Sequence, residues 1–268
     1  MLRLLRIDYR KLANYRPFWV LSILYGFLLL SIPITVIEFL KWLKRMGAEF
    51  DGFDPMRIPL LYFPDIWQNI TYVYTLPIMK IFMAIIVIIS ISNEYSYKTI
   101  RQNVIDGLSR WEFLVSKLST VVLLALYGAI LVFVTGLVTG LIYTPEVEMK
   151  YVLDGMEFVF AFFLDLLLYL ILAFFLTTFL QRSALTVFIL LIWRPIELIL
   201  IAYLDDSLKW IGDFFPMQAA VNLIDVPFPR YWLQEIQDYI PIVPLLIVLG
   251  YIVLFIYLLY RRLKRTDL

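Results

Sequence analysis

The sequence NEYSYKTIRQNVIDGLSRWEFLVSK, residues 93–117, is the polar stretch around which the chain is arranged. It directly follows the apolar run Ile81–Ile91, and a long apolar run, Leu118–Tyr143, begins after it. Polar sequence between two membrane spans must lie in water or against a soluble partner, because hydrocarbon offers no partners for its hydrogen-bonding groups. We therefore expect an all-α integral membrane protein with an exposed loop at residues 93–117.

Local signals in this loop predict two helices joined by a tight turn. Ser96–Ile105 is compatible with a helix, and Asp106-Gly107 would end it, because glycine tolerates the left-handed backbone that closes a helix. Ser109 and Glu112 have the spacing of a capping box, so a second helix is expected to begin at Arg110. A short helix held at a fixed angle to the next span would transmit a displacement of the loop to that span.

The loop also carries a pattern of charged and small residues, namely Glu94, Lys98, Thr99, Arg101, Gly107, Leu108, Ser109, Arg110 and Lys117. This pattern resembles the loop after the second span in permease subunits of type-2 ATP-binding-cassette (ABC) exporters. The chain departs from that family at one point, since many relatives have Gly-Thr where it has Lys98-Thr99.

The resemblance implies a fold, a partner and a set of site residues. Segment 93–117 would contain a coupling helix that docks on a separate ABC ATPase subunit. The predicted coupling residues are Glu94, Lys98, Thr99, Arg101, Gly107, Ser109 and Arg110, with a smaller second contact at Gln181 and Arg182. Two permease subunits, identical or related, would surround a central path for an exported cargo, while ATP and Mg would bind the ATPase partner.

Composition excludes several other classes of protein. The 268 residues are 62% hydrophobic and only 17% charged, and the mean hydropathy is +0.85, so a soluble domain is excluded. The chain has no Cys and no His, which removes thiol nucleophiles, imidazole bases and the usual zinc ligands. It contains no phosphate-binding loop, so we expect no ATPase site, no cofactor and no enzyme activity in this chain. A net charge of +1 without a basic, aromatic-rich tract gives no indication of nucleic-acid binding.

Six apolar runs have spanning length. They are Phe18–Ile37, Ile70–Ser92, Leu118–Tyr143, Phe158–Leu180, Ala184–Leu204 and Ile242–Tyr260. Residues 1–16 are predicted to form an amphipathic helix in the membrane interface rather than a cleaved signal peptide. Residues 205–241, rich in aromatics and prolines, are expected to form an external loop with short helices. Residues 1–268 then form a single permease domain.

Basic residues predict the orientation of the spans. The loops on the side of the two termini contain fourteen Lys and Arg, and the loops on the other side contain seven. Because cytoplasmic loops carry an excess of Lys and Arg, we expect both termini and segment 93–117 to face the cytoplasm. The resemblance adds that the membrane is the bacterial plasma (inner) membrane.

Two groups of residues within the spans invite a functional interpretation. Lys80, Asp165, Arg194 and Glu197 are charged, and each would cost about 2.5 to 3.5 kcal/mol if unpaired at a helix centre. They would either line an outward gate or form structural salt bridges, with Arg194 and Glu197 close enough to pair on one helix. Gly136 and Gly140 allow close helix approach, either in a dimer seam or within one bundle.

Two other functions are compatible with the sequence. One is a membrane scaffold that anchors an envelope or secretion assembly, in which the loop is only a docking site. The other is an ion-coupled carrier or channel that uses the charges within the spans. Stimulation of an associated ATPase by cargo would separate the exporter from the scaffold, and ion-driven uptake without ATP would indicate the carrier.

Overall fold

The computed structural model describes residues 2–47, 58–99, 102, 107, 109–232 and 234–265. Within this part of the chain, all regular structure is helical. The α-helices are α1 (Leu2–Ala13), α2 (Arg16–Arg45), α3 (Ile66–Tyr74), α4 (Pro77–Ser96), α5 (Arg110–Tyr143), α6 (Met149–Leu153), α7 (Glu157–Leu180), α8 (Ser183–Ala202), α9 (Pro216–Val221) and α10 (Ile242–Arg265). Two 3-10 helices, Asp206–Phe214 and Phe228–Trp232, flank α9.

Six helical segments of the described chain are long and apolar enough to cross a membrane, which confirms the six predicted spans. They are α2, α4, α5, the segment Met149–Leu180 that contains α6 and α7, α8 and α10. Their apolar side chains remain widely exposed on the outside of the bundle. An apolar surface of this extent indicates an integral membrane protein.

The second span differs from the prediction. We expected one continuous helical span over Ile70–Ser92, but the helix is interrupted between α3 and α4 at Thr75 and Leu76. Pro77 occupies the first turn of α4, where its fixed φ suits a helix start and its missing N–H is not needed. The break places Lys80 in the first turn of α4 rather than inside a continuous helix.

Helix α7 forms the centre of the bundle. It packs against α3, α4, α5, α8 and α10, and most of its side chains are buried. A helix that is apolar on all sides and surrounded by other helices is typical of a core element. We call the end of the bundle that carries α1 and the C-terminal end of α10 the terminal side, and the other end the opposite side.

Glycines of α5 face aromatic rings on the opposite side. A Cβ at Gly136 would lie 2.9 Å from the Trp67 ring, and a Cβ at Gly140 would overlap the Phe63 ring. The Trp67 ring stacks on Phe133 at 5.6 Å and its Nε1 donates to the carbonyl oxygen of Val152 at 2.9 Å. Gly136 and Gly140 therefore accommodate side chains of the same chain, which agrees with packing within one bundle and gives no support to a dimer seam at these positions.

Helix α3 runs from the opposite side toward the middle of the bundle. Trp67, in its first turn, lies beside Gly136 of α5. Its last residue, Tyr74, donates a 2.5 Å hydrogen bond to the carbonyl oxygen of Leu29 in the middle of α2. Helix α3 therefore lies in the part of the bundle nearer the opposite side, and α4 continues from the middle toward the terminal side. Helix α3 brings polar side chains to the opposite side.

Several local predictions for the loops are confirmed. Helix α1 forms where residues 1–16 were expected to be helical. Segment 205–241 contains the expected short helices. Half of the predicted helix Ser96–Ile105 lies outside the described residues, and within the other half the Gln102 amide donates to the carbonyl oxygen of Lys98 at 3.3 Å.

Candidate functional site

Three helices bring opposite charges together on the terminal side. Lys117 of α5 places its Nζ 2.9 Å from Asp8 Oδ1 of α1 and 2.9 Å from Glu94 Oε1 of α4. The three side chains are almost completely buried. We call Asp8, Glu94 and Lys117 the junction, because they join α1, α4 and α5 where the loop at residues 97–109 begins and ends.

Neighbouring polar groups complete the junction. Ser116 Oγ donates to Asp8 Oδ2 at 2.5 Å, and the Thr99 hydroxyl donates to Glu94 Oε2. The Lys11 Nζ lies 3.2 Å from Glu94 Oε1, and its side chain is 49% exposed. Two ammonium groups and two carboxylates therefore balance each other, which is the condition under which buried charges are tolerated.

Local sequence explains how the loop leads into the junction. Lys98 adopts a left-handed backbone with φ of 54°, which ends the helical path of α4, and Gly107 has φ of 92°. Ser109 and Glu112 form the predicted capping box, in which Glu112 N donates to Ser109 Oγ at 3.2 Å and Ser109 N to Glu112 Oε2 at 2.8 Å. Helix α5 begins at Arg110 as expected, and Lys117 follows two turns later.

The predicted coupling residues fall into different environments. Glu94 is part of the junction and Thr99 binds it directly. Lys98, Gly107 and Ser109 are exposed beside it. Arg101 lies outside the described residues. The structure thus brings two of the predicted residues into a buried contact and leaves three on the surface.

Arg110 makes a contact that the sequence did not predict. Its Nη1 donates to the carbonyl oxygen of Leu263 at 3.0 Å and to that of Lys264. These carbonyl groups belong to the last turn of α10, where they have no partner within the helix. Arg110 therefore ties the start of α5 to the end of α10, and a contact between this guanidinium and an ATPase stays a prediction.

Gln181 and Arg182 form the connection between α7 and α8. Gln181 has a left-handed backbone with φ of 53°, and Arg182 is extended. Both side chains are exposed on the terminal side. Their exposure is compatible with the predicted second contact with an ATPase. Neither residue belongs to the junction, so this role stays a prediction.

The charged residues within the spans form two separate pairs. Lys80 Nζ lies 2.7 Å and 2.8 Å from the two carboxylate oxygens of Asp165, and both side chains are buried. The same ammonium lies 4.9 Å from the centre of the Tyr169 ring. This pair joins α4 to α7 and satisfies both charges, as a salt bridge that fixes helix positions would.

The second pair lies where α8 meets α9. Arg194 Nη1 and Glu197 Oε2 are 3.7 Å apart, which confirms the predicted pairing on one helix. Glu197 also accepts hydrogen bonds from Trp193 Nε1 at 2.8 Å, from the Met217 amide at 3.1 Å and from the Gln218 amide at 2.9 Å. Glu197 therefore anchors α9 to α8, which is a structural role, while its predicted role in a gate stays untested.

Sequence reasoning missed Asp8 as a member of the site. It is the only acidic residue among the first 37, and its side chain turns inward from a helix that otherwise carries basic residues. A lone carboxylate on a basic amphipathic helix would have been a usable signal, because it must find a cation when it faces the bundle. Lys117 belongs to the family pattern, but the spacing of residues along the sequence does not identify Asp8 as its partner.

Comparisons with known proteins do not assign the chain to a family. No family model matches the chain, and no curated protein matches it. The function is therefore inferred from the described residues.

Proposed function

We propose that this chain is the membrane-spanning permease subunit of an ATP-driven exporter of the type-2 ABC class, with a separate ATPase subunit that docks on segment 93–117 from the cytoplasm. Two permease subunits and two ATPase subunits would form the transporter. ATP binding and hydrolysis take place on the partner.

The junction is the observation that carries this proposal. Asp8, Glu94 and Lys117 connect both ends of the exposed loop to each other and to α1 through contacts of 2.9 Å. A displacement of this segment therefore acts on α4 and α5 together, because separating the two helices would leave buried charges without a partner. A connection that keeps both helices attached to the segment is what coupling needs.

Gly107 offers a test with a matched control. Its φ is 92°, and a Cβ there would meet nothing within 4 Å. Valine at this position would strain the backbone without a steric clash. Gly47, at the end of α2 on the opposite side, has φ of 70° and is equally open, so Gly47→Val imposes a similar strain far from the loop.

The expected result is selective uncoupling. In a complex purified with its ATPase, Gly107→Val should abolish the coupling of ATP hydrolysis to transport, while Gly47→Val should retain it. Equal effects of the two substitutions on coupling would contradict the proposal, and so would normal coupling in Gly107→Val. Membrane insertion of both variants is checked by expression level and by gel-filtration profile.

The position of the loop can be tested without an ATPase. Because the natural chain has no Cys, single cysteines can be placed at Gln102 and, as a reference on the opposite side, at Lys209. A membrane-impermeant maleimide applied to intact cells should label the second position and not the first. Labelling of position 102 from outside would refute docking of a cytoplasmic ATPase.

A further inference from the structure

A large cavity opens on the opposite side between α3, α8, α9 and the start of α10. Its volume is about 990 Å³, which is at the upper end of the range for ligand sites. Its lining includes Tyr72, Arg194, Leu198, Asp225, Glu235 and Val243. The cavity therefore combines charged groups of both signs with apolar walls.

The charges in this cavity are ordered by depth. Arg194 lies eight residues before the end of α8, about 12 Å inside it, and lines the cavity together with Tyr72 of α3. The acidic residues that line the cavity are Asp213, in the 3-10 helix before α9, and Asp225 and Glu235, in the connection between α9 and α10, all outside the spans. Gln68, one turn before Tyr72, donates to the carbonyl oxygen of Asp225 at 3.2 Å, which places this carboxylate toward the surface. The cation is thus deep and the anions are shallow.

Arg194 retains hydrogen-bonding capacity for a ligand. A guanidinium has five N–H donors, and among the described residues one hydrogen bond uses them, from Nη1 to Gln218 Oε1 at 2.6 Å. Glu197 is 3.7 Å away and already accepts three other hydrogen bonds. An anionic group in the cavity would therefore find a cation with donors to spare.

Asp225 and Glu235 line the cavity without a cationic partner among the described residues. The two oxygens of Asp225 accept from the amides of Val226 at 2.8 Å and Gln237 at 3.1 Å, which are neutral donors. Glu235 is exposed at the rim. These two groups would attract an ammonium ion, which can donate up to three hydrogen bonds.

The apolar walls continue onto the surface of the bundle. Leu191 of α8, one turn deeper than Arg194, is 38% exposed. In a bilayer a side chain at this depth faces hydrocarbon. A ligand with acyl chains would extend along it while its polar part occupies the cavity.

We propose that this cavity binds a phospholipid whose headgroup carries a phosphate and a primary ammonium. The phosphate binds the Arg194 guanidinium, the ammonium lies toward Asp225 and Glu235, and the acyl chains extend past Leu191 into the hydrocarbon. In such a lipid the phosphate is nearer the hydrocarbon than the ammonium, which is the order of charges that the cavity presents. The site is independent of any ATPase and of the proposed transport.

The wall that carries the carboxylates is fixed to α3. Arg230 binds Asp65 and Asp238 and donates to Gln68 Oε1 at 3.2 Å. Gln68 Nε2 donates in turn to the carbonyl oxygen of Gln237 at 3.0 Å. The connection between α9 and α10 is therefore held in place before a lipid binds, which lowers the ordering cost of binding.

Lipid binding to the purified chain tests the proposal. Native mass spectrometry and thermal unfolding in detergent would be titrated with phosphatidylethanolamine, phosphatidylcholine and phosphatidylglycerol of identical acyl chains. We expect tightest binding of phosphatidylethanolamine, because the quaternary ammonium of phosphatidylcholine has no N–H donors and phosphatidylglycerol has no cation. Soluble phosphoethanolamine at the same concentration should bind much more weakly, because it lacks the acyl chains.

Two substitutions separate the two halves of the headgroup. Arg194→Gln should weaken all three phospholipids about tenfold, since it removes a charge-assisted contact. Glu235→Gln should weaken phosphatidylethanolamine more than phosphatidylcholine and so reduce the preference for phosphatidylethanolamine. Lys209→Gln, in an exposed pair with Asp206 on the same side, should change nothing.

Equal binding of the three lipids by the natural chain would overturn the proposal. Unchanged lipid affinity in a folded Arg194→Gln variant would also overturn it. If that variant fails to fold, Glu235→Gln decides: an undiminished preference for phosphatidylethanolamine in that variant would refute the assignment of the ammonium.

Discussion

The Lys80–Asp165 pair and the junction both place opposite charges inside the bundle, but their surroundings differ. Lys80 and Asp165 form an ion pair with each other, and their side chains are 3% and 0% exposed. The junction has two carboxylates and extends to Lys11, which is 49% exposed. A buried pair with no access to water has one stable arrangement, whereas a cluster that reaches the surface can exchange partners.

This difference separates a fixed contact from an adjustable one. Lys80 and Asp165 hold α4 against α7 within the spans, so breaking their contact leaves two charges in an apolar medium. In the junction, Glu94 has Lys11, Thr99 and Lys117 as partners. We infer that the Lys80 end of α4 stays fixed against α7 and that its terminal-side end can move.

The largest expected effect comes from breaking the fixed pair. Asp165→Leu should destabilise the protein by about 3–5 kcal/mol, because it leaves the Lys80 ammonium buried without a partner. The double variant Lys80→Met, Asp165→Leu should recover most of this loss, since it removes both charges. Thermal unfolding in detergent measures the two variants.

The double variant also decides whether the pair acts in a gate. If Lys80 and Asp165 only fix helix positions, the double variant should insert and transport normally. A double variant that is as stable as the natural chain and fails in transport would show that the pair participates in gating, and the distinction between fixed and adjustable clusters would then be wrong.

A smaller effect is expected in the junction. Lys117→Met should cost about 2–3 kcal/mol, because Asp8 and Glu94 lose a charged partner while Ser116, Thr99 and Lys11 still bind them. Coupling of ATP hydrolysis to transport should be lost in the same variant. A stability loss as large as that of Asp165→Leu would contradict the view that the junction can rearrange.

These two clusters also show how far the sequence predicts the site. Apolar runs of spanning length and the capping box at Ser109 are local signals, and the structure confirms both. The contact between Asp8 and Lys117 joins residues 109 positions apart, and no local pattern determines it. Charged residues in a span indicate that partners exist, but the packing of the helices selects them.

The broken second span has a different cause. The hydropathy of Ile70–Ser92 is continuous, so a scan for apolar runs joins the end of α3 to α4. The break at Thr75 and Leu76 follows from Pro77, which cannot donate to the preceding turn. That signal was present in the sequence, and the length of the apolar run concealed it.

The third prediction tests packing rather than charge. Gly140→Ala should destabilise by about 1–3 kcal/mol, because its Cβ would overlap the Phe63 ring on the opposite side. Gly250→Ala is the control, since a Cβ there meets nothing within 4 Å, and it should not destabilise the protein. Equal thermal stability of the two variants would show that the segment before α3 adjusts easily, and the opposite side would then be as adaptable as the junction.

The smallest effect is expected at the exposed member of the junction. Lys11→Gln should change the stability by less than about 1 kcal/mol, because an ion pair with a half-exposed lysine is screened by water and salt. Lys41, 44% exposed and 2.8 Å from Glu38, is the matched control, and Lys41→Gln should behave alike in thermal unfolding. The two substitutions should differ in their effect on the coupling of ATP hydrolysis to transport, since Lys11 contacts Glu94 and Lys41 contacts Glu38. If Lys11→Gln costs as much as Lys117→Met, then the junction has no adjustable partner, and its contrast with the Lys80–Asp165 pair disappears.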